Sequence, residues 1–174
     1  MSVHSHLELM PSVATRAVTV RISRQLSAPI ECVFDAWLDP VIAGSFLFAN
    51  DPGEVVRADI DGRIGGRFRF VRRENGTEVR RVGKYISIER PHLLMFSLSE
   101  SSRTLTHDRV VVELASVGMG SLLVLTHEMG LERYAERPRI ESEWRRRLGM
   151  LAFLCPIPRS ADFSIVQQRS VAVV

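Results

Sequence analysis

Side chains alternate from Val18 to Leu26, with Val18, Val20, Ile22, Arg24 and Leu26 in one phase, apolar but for Arg24, and Thr19, Arg21, Ser23 and Gln25 in the other. Period two is the signature of a half-buried strand. The period then changes: Val33 and Trp37, like Phe34 and Leu38, lie four apart, which predicts a short helix. Ser27-Ala28-Pro29 offers it a cap and a proline near the first turn, and Asp39-Pro40 stops it. A second short helical stretch over Val41–Phe48 ends at the turn formers Asn50-Asp51-Pro52-Gly53.

From there the pattern is that of strands for about eighty residues: Val55–Ala58, Arg67–Arg72, Glu78–Ile88, Leu93–Leu98, Arg109–Leu114 and Leu122–Met129. The connections Asp61-Gly62, Asn75-Gly76, Arg90-Pro91, Glu100–Thr104 and Gly118–Ser121 are short, so an antiparallel meander is predicted. Gly65-Gly66 and Gly83 mark places where the sheet must bend or bulge. The last strong element is a helix in which Ile140, Trp144, Leu148, Leu151 and Cys155 form one apolar stripe. Glu141 with Arg145, and Glu143 with Arg147, are spaced to pair on its flank. Pro138 opens this helix or kinks one that begins near Leu131, and Pro156 with Pro158 ends it.

The chain has 174 residues, 45% of them apolar and 25% charged, which suits one globular domain and excludes collagen-like or low-complexity structure. The expected division is a loose arm over 1–15, a domain over 16–156 and a tail over 157–174 with strand propensity at Val171–Val174. Lys and Arg number 23 against 20 Asp and Glu, a dispersed excess too small to indicate nucleic acid. No apolar run approaches the roughly 20 residues of a membrane span, and no signal-peptide pattern opens the chain, so a cytoplasmic location is expected. The two cysteines, Cys32 and Cys155, stand far apart without metal-ligand spacing, and His4 and His6 lie in the arm. Neither a metal site nor a cofactor is expected, and no hydrolase elbow, P-loop or dinucleotide fingerprint is present.

Strand, two short helices, six strands and a long C-terminal helix describe an α+β domain in which a curved antiparallel sheet wraps around that helix. Five pieces in this order resemble the START/Bet v 1-like (SRPBCC) superfamily, and within it the group named for the activator of Hsp90 ATPase homologue 1: LSAPIECVFDAWLDP, ADIDGRIGGRFRFV, VGKYISIERPHLLMFSL, VVVELASVGMGSLLVLTHEM and EWRRRLGMLAFL. They cover about residues 20 to 155. The resemblance implies the helix-grip fold and a cavity between sheet and helix, used in different branches for hydrophobic ligands or polyketide cyclisation. The group's eukaryotic co-chaperone relies on an additional N-terminal domain that the short arm does not supply, so Hsp90 activation is not expected. Two departures stand out: Glu143 precedes Trp144 where relatives commonly have Gly, and Phe46 stands near a position often held by Trp.

On this resemblance the residues expected to reach a small hydrophobic or amphipathic ligand are Trp37, Phe68, Tyr85, Phe96, His127, Glu143, Trp144 and Leu148. The plainer reading of the aromatic residues, which include Phe34, Phe46, Phe48 and Phe70, is that they are core. His127 belongs to the apolar phase Leu123, Leu125, His127, Met129; Tyr85 shares its phase with Arg81 and Gly83; and His107 stands near the same end. A buried Glu143 would pair with His127 as acid and base, and an exposed one with Arg147. Arg145-Arg146-Arg147 reads as a solvated surface. Two alternatives remain open: a cyclase/dehydratase-like enzyme with His127 or Glu143 as base, and a co-chaperone or regulatory module acting through an outer apolar patch. Homodimerisation through an edge strand or the tail is left open too.

Overall fold

The computed structural model describes residues 17–48, 53–99 and 108–155. The 1–15 arm, Asn50-Asp51-Pro52, Glu100–Thr104, His107, Pro156, Pro158 and the 157–174 tail lie outside them. Seven strands, β1 (Ala17–Leu26), β2 (Glu54–Ile60), β3 (Arg67–Glu74), β4 (Thr77–Glu89), β5 (Leu93–Ser99), β6 (Asp108–Val117) and β7 (Gly120–Gly130), form one antiparallel sheet ordered β1-β7-β6-β5-β4-β3-β2. The meander runs from β2 to β7 and returns to β1, as the short connections predict. Asn75 and Gly76 close the β3–β4 hairpin with φ of 47° and 78°, the paired positive angles that an Asn-Gly turn supplies. Helices α1 (Ile30–Ala36) and α2 (Pro40–Leu47) follow β1, and α3 (Arg137–Leu154) closes over the concave face. This is the helix-grip fold that the resemblance implies.

Local chemistry accounts for the elements and corrects several expectations. No side chain caps α1, so Ser27 does not act as predicted. Asp39-Pro40 does more than stop α1: Asp39 Oδ1 accepts from the N–H groups of Val41 and Ile42, both at 2.9 Å, and Pro40 occupies the first turn, so the pair starts α2. Pro138 opens α3, which a 3₁₀ helix, Leu131–Glu136, precedes. The pairing irregularity in β4 falls between Tyr85 and Ser87, away from Gly83. Gly83 serves a close approach instead, since a Cβ there would lie 2.3 Å from Phe68 Cζ and 1.9 Å from the Ser97 carbonyl oxygen.

The concave face is the core. From β1, β7 and β6 it receives Val18, Val20, Ile22, Leu123, Leu125, Val110 and Val112, and from β5, β4 and β3 it receives Phe96, Tyr85, Phe68 and Phe70. Ile140, Trp144, Leu148 and Leu151 of α3 are each at most 2% exposed, so the predicted stripe faces the sheet. Burial of a large apolar side chain contributes about 1.5–3 kcal/mol, and this seam holds α3 against the strands. Among the described residues no helix is long and apolar enough to cross a membrane.

Candidate functional site

Strand register collects the predicted residues. Val20, His127, Val110, Phe96 and Tyr85 lie in one transverse row across β1, β7, β6, β5 and β4. The next row carries Asp108, Leu98, Gly83 and Phe68. Trp37, at the end of α1, and Trp144, on α3, stand over these rows with their rings 6.2 Å apart. Leu148 follows Trp144 by one helical turn and is 1% exposed.

On the β3–β5 side the rings form a continuous cluster. Trp37 meets Phe46 edge-on at 4.8 Å and Phe96 at 6.0 Å; Phe96 meets Phe68 at 5.5 Å and Tyr85 at 6.4 Å; Phe68 meets Tyr85 at 5.5 Å and Phe70 at 5.7 Å. These separations are those of favourable aromatic pairs. Two polar groups are enclosed. The Trp37 indole N–H is buried and has no acceptor among the described residues, and burial alone pushes the Tyr85 phenol above its ordinary range. A buried donor left unsatisfied costs about 1–3 kcal/mol, so its presence requires an explanation.

On the β6–β7 side the polar groups are satisfied. Trp144 Nε1–H donates to His127 Nδ1 at 2.8 Å, and His127 Nε2 stands 2.9 Å from Asp108 Oδ2. An indole nitrogen can only donate, so Nδ1 must accept and the imidazole proton sits on Nε2, given to Asp108. Asp108 also receives Arg133. Arg133 grips both oxygens of Glu136 at 2.9 and 3.0 Å, and Glu136 takes Arg139 at 2.7 Å. Arg139 and Arg147 hold the two oxygens of Glu143. The Arg147 guanidinium then lies over the Trp144 ring, 4.8 Å from its centre, and closes the circuit. Arg133 with Arg139 holds the Glu136 carboxyl down to about 2, with Arg133 the larger cause.

The predicted residues divide accordingly. Trp37, Phe68, Tyr85 and Phe96 belong to the aromatic cluster, His127 to the polar circuit, and Trp144 to both. Glu143 does not meet His127; it pairs with Arg147 and Arg139 on the flank of α3, its side chain 15% exposed. Arg147 departs from the expected solvated surface, being 3% exposed against the indole. Asp108 is the partner that sequence reasoning missed. Its signal is its phase, two residues before Val110 and in step with Val112 and Leu114 on the inward face. The arrangement also bears on catalysis, because the His127 lone pair that a general base uses is already committed to Trp144. Two surface grooves, of about 530 and 440 Å³, are lined by Gln25, Leu26, Val117 and Met119 and by Arg21, Leu93, Leu122 and Val124, and neither reaches a predicted residue.

Comparison with known proteins agrees with this architecture. Residues 27–154 match the family described as Activator of Hsp90 ATPase homolog 1-like protein. No curated protein matches. Among solved structures, protein CV1439 from Chromobacterium violaceum is similar at 23% identity and a TM-score of 0.67, over 81% of this chain and 98% of its own. The AHSA1-like protein from Aeromonas hydrophila is similar at 20% identity and a TM-score of 0.65, over 78% and 90%. CalU16 from Micromonospora echinospora is similar at 22% identity and 0.59, over 88% and 83%. At these identities the likeness carries the fold.

Proposed function

This chain belongs to the activator of Hsp90 ATPase homolog 1-like family, and from that premise we propose that it binds a small amphipathic molecule between the sheet and α3, among Trp37, Phe68, Tyr85, Phe96 and Trp144. The observation that carries the reading is the buried Trp37 indole N–H without an acceptor among the described residues. It calls for a ligand with an oxygen acceptor on a flat apolar body, which the surrounding rings suit by stacking and edge contact. Tyr85, across Phe96 from Trp37, offers a second polar group to the same molecule. The rings now touch one another, so the ligand enters by parting Trp37 from Phe96. On the other side the fixed His127–Trp144 hydrogen bond makes a wall that does not yield. The committed His127 lone pair favours binding over base catalysis.

Native mass spectrometry of the protein as purified, set against its denatured mass, tests this. The expected spectrum carries a non-covalent species on the order of a few hundred daltons, the size such a site holds. Titration with the amphipathic dye 1-anilinonaphthalene-8-sulfonate adds a second readout: saturable fluorescence, weakened about tenfold in Kd by Phe96→Ala, a loss of about 1.4 kcal/mol. An apo mass together with dye binding indifferent to Phe96→Ala overturns the reading.

A further inference from the structure

The chain holds two cysteines, separated by 123 positions, and the fold brings them together. Cys32 lies on α1 and is exposed; Cys155 is the C-cap of α3 and is 6% exposed. The Cys155 thiol donates to the main-chain carbonyl of Cys32 with Sγ 3.9 Å from the oxygen, and both thiols are free. A disulfide needs Cα atoms within about 7 Å and Cβ atoms about 4 Å apart. The contact of the Cys155 sulfur with the Cys32 main chain makes the two residues spatial neighbours; side-chain rotation turns the sulfurs toward each other, and a shift of the Cys155 backbone supplies whatever closing of the Cα and Cβ separations the bond requires. Cys155 can make that adjustment: its φ of −108° and ψ of 77° are outside the helical range, and its N–H bond to Leu151 survives rotation about Cα–Cβ.

We propose that Cys32 and Cys155 form a reversible intramolecular disulfide that staples α1 to the end of α3. The oxidant is a small soluble disulfide such as glutathione disulfide. The exposed Cys32 thiolate attacks one of its sulfurs, the S–S bond breaks, and one glutathione thiolate leaves. The Cys155 thiolate then attacks the Cys32 sulfur of the mixed disulfide and expels the second glutathione. Two protein thiols are oxidised and one small disulfide is reduced to two thiols. Burial, and secondarily the neighbouring Cys32, push the Cys155 thiol up to about 11, so the second step is the slow one near neutral pH and accelerates as pH rises. The staple joins the element carrying Phe34 and Trp37 to the element carrying Trp144 and Leu148, independently of what lies between them. By closing a loop of more than 120 residues it raises Tm by on the order of 10 °C.

The test uses the full folded chain in a glutathione redox buffer at about pH 8.5, near the ordinary thiol range, quenched with acid and read by intact mass and non-reducing peptide mapping. The expected product is a monomer lighter by two hydrogens, with the Cys32 and Cys155 peptides linked, restored by dithiothreitol and melting higher when oxidised. Cys32→Ser and Cys155→Ser each take up at most one glutathione and gain no such rise in Tm. Arrest at a mixed disulfide on Cys32, or coupling to a disulfide-linked dimer, overturns the proposal. The wild-type peptide map decides this even where a serine variant folds poorly.

Discussion

The two sides of the concave face meet the same physical requirement in opposite ways. Under β3, β4 and β5 the interior is built from rings, and the indole N–H of Trp37 is sealed among them without an acceptor among the described residues. Under β6 and β7 the interior holds an acid and an imidazole, and each polar atom of Asp108, His127 and Trp144 described above has a partner. A satisfied buried network fixes one geometry, whereas an unsatisfied donor leaves a place for a missing acceptor. Two tryptophans 6.2 Å apart therefore do different work: Trp144 locks α3 to β7, and Trp37 carries the unmet donor on the side proposed to take a ligand. The family likeness gives the shared architecture, and this asymmetry is the feature to test.

The largest expected effect is on the locked side. Asp108→Ala leaves the Arg133 guanidinium and the His127 Nε2–H without their acceptor and costs about 3 kcal/mol, the low end for a broken buried pair, because Arg133 keeps Glu136 and is 19% exposed. Urea unfolding followed by circular dichroism reads it; a loss below about 1 kcal/mol would show that the circuit does not hold the fold. Next come the matched changes Trp144→Phe and Trp37→Phe, each removing one indole N–H. Trp144→Phe strands His127 Nδ1 and costs about 1–3 kcal/mol, whereas in Trp37→Phe the recovered cost of an unpaired donor offsets the lost ring volume and the variant stays within about 0.5 kcal/mol of wild type. Equal losses in the two variants would erase the distinction between the sides.

Local periodicity shows through in the sequence wherever one element decides the outcome. The alternation in Val18–Leu26 placed Val18, Val20 and Ile22 inside, and the α3 stripe from Ile140 to Leu151 is buried along its length. The aromatic side was legible for the same reason, because Phe68, Tyr85 and Phe96 each lie in the inward phase of their own strands. The polar circuit was not. Asp108 and His127 are 19 positions apart, and they meet only because β6 pairs with β7 in a register that sets Val110 opposite His127. Arg147 was misread because a guanidinium counts as polar in any periodicity, although its flat face can cover an indole while its edge pairs with Glu143. Asp39 was read as an end and is also a beginning, since a cap belongs to the helix that follows it.

The smallest expected effect lies where the circuit surfaces, and it separates buried order from surface charge. Arg133 first and Arg139 second hold Glu136 down to about 2 in the folded protein, below the usual carboxylate range near 4.5. A carboxylate lowered on folding stabilises the native state above its unfolded value and loses that contribution as pH falls through the folded value. The window is therefore from about pH 4.5 down to about 2. The Glu136 side chain is 39% exposed, so solvent and salt screen it and the contribution is below about 1 kcal/mol. The stability difference between wild type and Glu136→Gln is expected to be a few tenths of a kcal/mol at pH 6, smaller in about 0.5 M salt, and gone near pH 2. The loss in Asp108→Ala, by contrast, hardly responds to salt, because Asp108 is buried. If Glu136→Gln costs as much as Asp108→Ala, the exposed arc of the circuit carries the fold, and the contrast between a satisfied and an unsatisfied side must be redrawn around α3 and the 3₁₀ helix before it.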